Sequence, residues 1–217
     1  MTLSDLEQAA VPLGLAVRGA FHPTPEDSAP DGTKTIVMLG PDEPGFWRLF
    51  QQSPEMQDGH PHPLDRWSRR VATSLGDPLG AQVILPYDGP PYAPFIRWAE
   101  RCGTSWPSPV NLLVHDKAGL FISFRAALAL PQRLELSEHP SKPCDICTER
   151  PCETACPVGA LAPGKPYDVP ACTAHIKSAE GAACRKGCLV RRSCPVSQSF
   201  GRVPEQSAFH MRAFLGE

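Results

Sequence analysis

At 217 residues the chain can bury one substantial core, or one core together with a small unit stapled by other means. Its formal net charge of −2, from 21 Lys and Arg against 23 Asp and Glu, gives no global reason to expect a nucleic acid or a charged membrane surface as partner. No apolar run approaches ~18 residues, and Met1-Thr-Leu-Ser-Asp-Leu-Glu7 lacks the basic flank and apolar stretch of a signal peptide, so a cytoplasmic protein with no membrane segment is expected.

Ser4-Asp-Leu-Glu7 has the pattern of a capping box and predicts a short helix running towards Gly14. Leu15 to Phe21 reads as a strand, and the Pro-, Asp- and Ser-rich stretch His22 to Lys34 as a surface loop. The apolar run Thr35 to Leu39 predicts a buried strand. Gly45 to Gln52, carrying Phe46, Trp47, Leu49 and Phe50, reads as a helix, and Asp58 to Pro63 as a loop. From Leu64 to Leu75 the apolar residues Leu64, Trp67, Val71 and Leu75 recur at spacings of three and four, which predicts a helix stopped by Gly76.

Ala81 to Leu85 is strand-like, and Pro86-Tyr-Asp-Gly-Pro-Pro-Tyr92 is too rich in turn formers for regular structure. Pro94 to Arg101 reads as a helix closed by Gly103. Val110 to His115 and Leu120 to Phe124, joined by Asp116-Lys-Ala-Gly119, are expected to form an antiparallel hairpin. Residues 1–136 thus alternate helix and strand around one sheet and form an α/β sheet domain. Residues 137–200 form a second, small domain, and 201–217 a tail with one helix over Pro204 to Leu215. The expected fold class is α+β.

The second domain is defined by cysteine. Eight of the nine lie between Pro143 and Pro195, as Cys144-x2-Cys147-x4-Cys152-x3-Cys156-Pro157, then Cys172, then Cys184-x3-Cys188-x5-Cys194-Pro195. In a reducing compartment, cysteines clustered this way are ligands rather than disulfides. Thiolate is the donor that iron–sulfur clusters require, and each cubane takes four. Three cysteines on one short loop can grip one cluster, while a fourth followed by Pro ligates the other, as in two-cluster ferredoxins. That rule assigns Cys144, Cys147, Cys152 and Cys194 to one [4Fe–4S] cluster, and Cys156, Cys172, Cys184 and Cys188 to a second. Two structural zinc sites would also use eight cysteines, but they favour paired C-x2-C knuckles over a quartet ending in Pro.

Gly181 to Arg202 holds five basic residues, Arg185, Lys186, Arg191, Arg192 and Arg202, and no acid. Cations lodged between ligands offset the charge of an anionic cluster and raise its potential, a better match than a nucleic-acid footprint. Cys102, at a predicted helix C-terminus, reads as a small buried hydrophobe. His60 and His62 read as surface residues, and His115 and His175 stand alone. No dinucleotide-binding fingerprint and no phosphate-binding loop is present.

The order of a quartet ending in Cys-Pro, a single Cys sixteen residues later at 172 and a final group ending in Cys-Pro resembles the ferredoxin-like half of epoxyqueuosine reductases and reductive dehalogenases. Asp88-Gly-Pro-Pro91, Arg97 to Gly103, Trp106, Asn111-Leu-Leu113 and Gly119-Leu-Phe121 are similar, in order, to the preceding domain of that family, which is related to cobalamin-processing reductive decyanases. The chain differs at Pro109-Val110, where the family has Gly-Lys, and in its final cysteine spacings. The resemblance implies two clusters passing electrons to a cofactor of cobalamin type, and it makes Asp88 a candidate proton donor, beside the simpler reading of Asp88 as the cap of its turn.

Three functions are therefore expected in turn. The first is an iron–sulfur redox protein feeding a cofactor or substrate on its N-terminal domain. The second is a ferredoxin-type electron carrier with no catalysis of its own. The third is an epoxyqueuosine reductase-like enzyme lacking the family's helical-repeat domain. Each needs a redox partner protein, such as a ferredoxin, a flavodoxin or a reductase; no membrane partner is expected, and of the three only the reductase-like reading calls for a nucleic acid, the tRNA that family acts on.

Overall fold

A computed structural model describes residues 1–136 and 138–217, so the domain boundary expected at residue 137 lies outside the described residues. In chain order the elements begin with α1 (Leu3–Ala10), β1 (Leu15–Phe21), β2 (Thr35–Pro41), α2 (Gly45–Gln51), α3 (Pro54–Gln57), α4 (Pro63–Gly76), β3 (Gln82–Ile84) and α5 (Phe95–Arg101). They continue with β4 (Ser105–Pro107), β5 (Leu113–His115), β6 (Ala126–Leu130), α6 (Pro143–Ile146), α7 (Val169–Lys177), α8 (Ala182–Arg185), α9 (Leu189–Ser193), α10 (Pro195–Ser199) and α11 (Pro204–Leu215). The fold is α+β. The chain divides into two compact units, Met1–Thr104 with Ser123–Pro140, and Ser105–Ile122 with Ser141–Glu217. The segment Ser105–Ile122 thus falls with the cysteine-rich part of the chain, where the sequence reading placed it in the first domain.

The first unit is built on a four-stranded sheet in the order β1-β2-β6-β3, with every neighbouring pair antiparallel. In β2 all seven residues are buried, as a strand covered on both faces requires. Ile36 pairs with Ala129 and Met38 with Ala127. These four residues share one face, where Phe21, Phe95, Trp98 and Cys102 pack with them. The opposite face meets the end of α4, since a Cβ on Gly76 would lie 2.9 Å from Val83 and 3.2 Å from Leu128.

The run Ala126-Ala-Leu-Ala-Leu130 has more helix than strand propensity. Its place inside the sheet comes from pairing with β2 on one side and β3 on the other.

Two local expectations are corrected. The capping box that starts α1 is Thr2 with Asp5, not Ser4 with Glu7. Asp5 N–H donates to Thr2 Oγ1 at 3.1 Å, and Thr2 N–H donates to Asp5 Oδ2 at 2.7 Å. The earlier start lets α1 bury Leu6 and Ala10.

The hairpin of Val110–His115 with Leu120–Phe124 does not form. β5 pairs instead with β4, Trp106 opposite Val114. The backbone after β5 is taken up by side chains. His115 Nδ1 accepts from Lys117 N–H at 3.0 Å and Ala118 N–H at 3.2 Å, and Leu120 N–H donates to Ser197 Oγ at 2.8 Å. Arg191 donates to the Leu120 carbonyl, and Arg202 donates to that of Phe121 at 3.1 Å. A strand ladder needs those same groups, so none can form.

Among the described residues no helix is long and apolar enough to cross a membrane.

Candidate metal centre

The eight clustered cysteines sit at the ends and junctions of short elements in the second unit. Pro143 opens α6, a single turn that carries Cys144 and leaves Cys147 in extended backbone just beyond it. Arg150 then takes a left-handed conformation, with φ of 42°, and turns the chain into Pro151-Cys152-Glu153. Cys188 and Cys194 share ψ of 124°, and each directly precedes a short helix, α9 and α10 respectively. Pro195 occupies the first turn of α10, where its missing N–H costs nothing. Asp168 caps α7 by accepting from Ala171 N–H at 2.9 Å, which fixes Cys172 in that helix's first turn.

Cys144, Cys147, Cys152 and Cys194 come together. Burial pushes the Cys152 thiol up to about 11, reinforced by the like charge of Cys144, Cys194 and Cys147. Cys144 is raised too, by burial first and then by Cys194 and Cys147 against the opposing pull of Lys142. All four line one cavity of about 300 Å³, with Pro143, Ile146 and Val196 among its walls. Cys152 and Cys194 are buried among Val110, Val114, Leu120, Leu161 and Val190.

The other four lie in the same unit, Cys156 and Cys188 packing against the same buried cluster as Cys144. Cys172 and Cys184 are both raised chiefly by burial. Beyond that, Cys172 feels the charge of Cys188 and Cys156, and Cys184 that of Cys188, Cys172 and Cys156. Tyr167 packs against the same buried apolar cluster as Cys156 and Cys188. Burial pushes the Tyr167 phenol well up, and the nearby Cys172 adds to the shift.

Crowded thiols resist successive ionisation, and a bound cationic centre removes that penalty by taking the protons' place, so metal binding and proton release are coupled. Among the described residues no three His, Cys, Asp or Glu side chains are placed to hold one metal ion.

Of the basic run, three members are bonded to backbone carbonyls. Arg185 donates to Ile176 at 2.5 Å and Ser178 at 2.7 Å, at the C-terminal end of α7. Arg191 and Arg202 hold Leu120 and Phe121 as described above. Arg191 is half-buried, and its guanidinium lies within reach of the charge of Cys188 and Tyr167.

Asp88 belongs to the first unit. It is half-buried and forms an ion pair with Arg69, while its N–H donates to the Leu85 carbonyl at 3.1 Å, closing the turn after β3. Cys102 is fully buried, and its thiol is pushed far up by burial alone. His60 lies on an exposed loop whose N–H donates to Asp58 at 2.9 Å.

Tyr167 and Ser197 carried no sequence signal. Tyr167 stands five residues before Cys172, a separation that no regular element brings onto one face.

Comparison with protein-family models, with characterised proteins and with solved structures gives no match.

Proposed function

We propose that the protein is an electron-transfer protein carrying two [4Fe–4S] clusters. Cys144, Cys147, Cys152 and Cys194 would hold one, and Cys156, Cys172, Cys184 and Cys188 the other. The observation that carries this reading is the cavity of about 300 Å³ lined together by Cys144, Cys147, Cys152 and Cys194, cysteines up to 50 residues apart in the chain. Each bound cluster would supply a one-electron couple at low potential. The chain's own part is to bury the ligands, hold them at fixed positions and set the surrounding charge.

A soluble one-electron carrier, such as a ferredoxin or flavodoxin, is the partner this reading requires. Ile146 supports a contact near the first group, being 83% exposed and lining the same cavity as that group's cysteines.

For the other end of the transfer, the ion pair of Asp88 with Arg69 favours the carrier reading over a catalytic one. It assigns the carboxylate a structural partner at the surface. A cofactor of cobalamin type on the first unit is the competing proposal, and with it the epoxyqueuosine reductase-like activity. Gel filtration with excess cob(II)alamin separates them. Co-elution with a spectral change would favour the cobalamin reading, and free elution the carrier.

The primary test is anaerobic purification with iron and sulfide assays and EPR of the dithionite-reduced protein. About eight irons per chain are expected. About four would mean that one group is misassigned, and zinc in place of iron would overturn the proposal.

A further inference from the structure

Three of the cysteines around the cavity, Cys144, Cys147 and Cys152, come from one short stretch, whereas Cys194 reaches it from far along the chain. Leu120 lines the same cavity and is buried with Cys152 and Cys194 in one apolar cluster. Both polar groups of the Leu120 backbone are bonded to the elements that flank Cys194. The N–H donates to Ser197 Oγ, in α10, at 2.8 Å, and the carbonyl accepts from the guanidinium of Arg191, in α9. Cys194 lies midway between these two anchors, and its own carbonyl accepts from Gln198 N–H at 3.1 Å, which locks it to the turn that carries Ser197. Arg202 adds a third tie: it donates to the Phe121 carbonyl at 3.1 Å, and its guanidinium lies 5.2 Å from the centre of the Phe121 ring. All of these residues belong to the second unit.

The geometry points to Arg191 and Ser197 as positioning residues that clamp Cys194 against Leu120 and so complete the first cysteine group. This rests on the two-cluster proposal above, in which that group takes the four thiolates of one cubane. Neither residue is a ligand. Leu120 is 1% exposed, so a released N–H or carbonyl there has no water to turn to, and the clamp stays closed. Opening it would free one ligand of four, in one centre only.

Ser197→Ala deletes a single oxygen. Arg191→Gln removes the charged donor, whereas Arg191→Lys keeps a cationic donor on a long stem. Asp27→Ala serves as the control, a change expected to destabilise the first unit without touching the clamp.

The test uses the anaerobically purified full chain, with iron counted first, EPR of the dithionite-reduced protein, and the rate of iron release to an iron chelator. Backbone amide exchange in the peptide that contains Leu120 is followed alongside. Ser197→Ala and Arg191→Gln should release iron about 10-fold to 100-fold faster from one centre, the one disturbed by Cys144→Ser, and keep the other signal. Arg191→Lys should stay close to the parent, and Asp27→Ala should leave iron release unchanged. Exchange at Leu120 should quicken in Ser197→Ala.

If Arg191→Gln does not fold, Ser197→Ala decides alone. The inference is overturned if exchange at Leu120 quickens while iron release does not, if both centres are lost together, or if Asp27→Ala releases iron as fast. A parent chain that binds no iron at Cys144, Cys147, Cys152 and Cys194 defeats the two-cluster proposal and this inference with it, a result read from the parent before any variant is compared.

Discussion

Leu120 and Ser197, 77 residues apart in the chain, are joined by a 2.8 Å hydrogen bond from the buried Leu120 N–H to Ser197 Oγ. Gly119 makes room for it. A Cβ there would lie 2.5 Å from Ser197 N and 2.6 Å from Ser197 Oγ, and Gly119 has φ of +55°. This contact ties the segment that follows β5 to the start of α10, two residues past the Cys194-Pro195 step.

Ser197→Ala leaves a buried N–H without its acceptor and should cost about 1–3 kcal/mol. Gly119→Ala adds a clash with backbone to an unfavourable φ and should cost at least as much. Urea denaturation of both variants checks this. Unchanged midpoints would show that the bond is replaced by water.

Each cysteine group should behave as a unit in metal analysis. Cys194→Ser should disturb the same centre as Cys144→Ser, and Cys172→Ser the same centre as Cys184→Ser, by EPR signal and iron content. If Cys194→Ser altered the signal lost in Cys172→Ser, the division of the ligands would be wrong.

Cys102 is the control. Its thiol is buried in the first unit against Phe21 and Trp98, and burial holds it protonated. Cys102→Ala should retain the full iron content, and the native thiol should resist alkylation at neutral pH. Its loss of stability should be about 1–2 kcal/mol, from the sulfur's packing alone. A fall in iron would implicate Cys102 in a centre.

Asp58 accepts from both Arg66 Nη1, at 2.6 Å, and His60 N–H, at 2.9 Å, and these bonds bring its carboxyl down to about 2. The folded value lies below the ordinary 3.8, so the contribution is fully present above about pH 4 and is lost as pH falls towards 2. Carbon-detected NMR titration of the carboxylates should place Asp58 at the low end. Arg66→Gln should return it towards 3.8. An Asp58 that titrates near 4 in the parent would show that the clamp is open in solution.

Asp27 is fully buried and accepts from Thr24 N–H at 2.8 Å and Thr24 Oγ1–H at 3.0 Å, with Arg101 3.4 Å away. Burial alone would raise its pKa, but the Thr24 bonds and the two arginines, Arg101 and Arg97, outweigh it and leave it lowered. The pairing therefore stabilises the fold above the ordinary carboxylate range and fades as pH drops below it. Asp27→Ala should cost about 1–3 kcal/mol at neutral pH, and less at acid pH. Thermal melts at the two pH values test the difference.

Periodicity and punctuation in the sequence located much of the first unit. The bounds of β1 match the apolar run Leu15–Phe21, and α4 follows its stripe of Leu64, Trp67, Val71 and Leu75 to within a residue. In the second unit, α11 spans Pro204–Leu215 as Pro204 at its start implied. Local chemistry suffices for such elements, because the bonds that define a helix or an edge run between near neighbours. The cysteine pattern is also local and chemical, so a division into two fours could be written from spacing alone.

Tertiary structure decided what depends on distant partners. A strand's bonds belong to another segment, so β5 pairs with β4 rather than with Leu120–Phe124, whose amide and carbonyls are claimed by Ser197, Arg191 and Arg202. The same holds for β6, an alanine-rich run drawn into strand form between β2 and β3. It holds again for Tyr167, which no spacing ties to Cys172. The choice of candidate ligands is a matter of residue type and order, whereas the cavity and the apolar packing around Cys152 and Cys194 exist only once distant parts of the chain have been brought together.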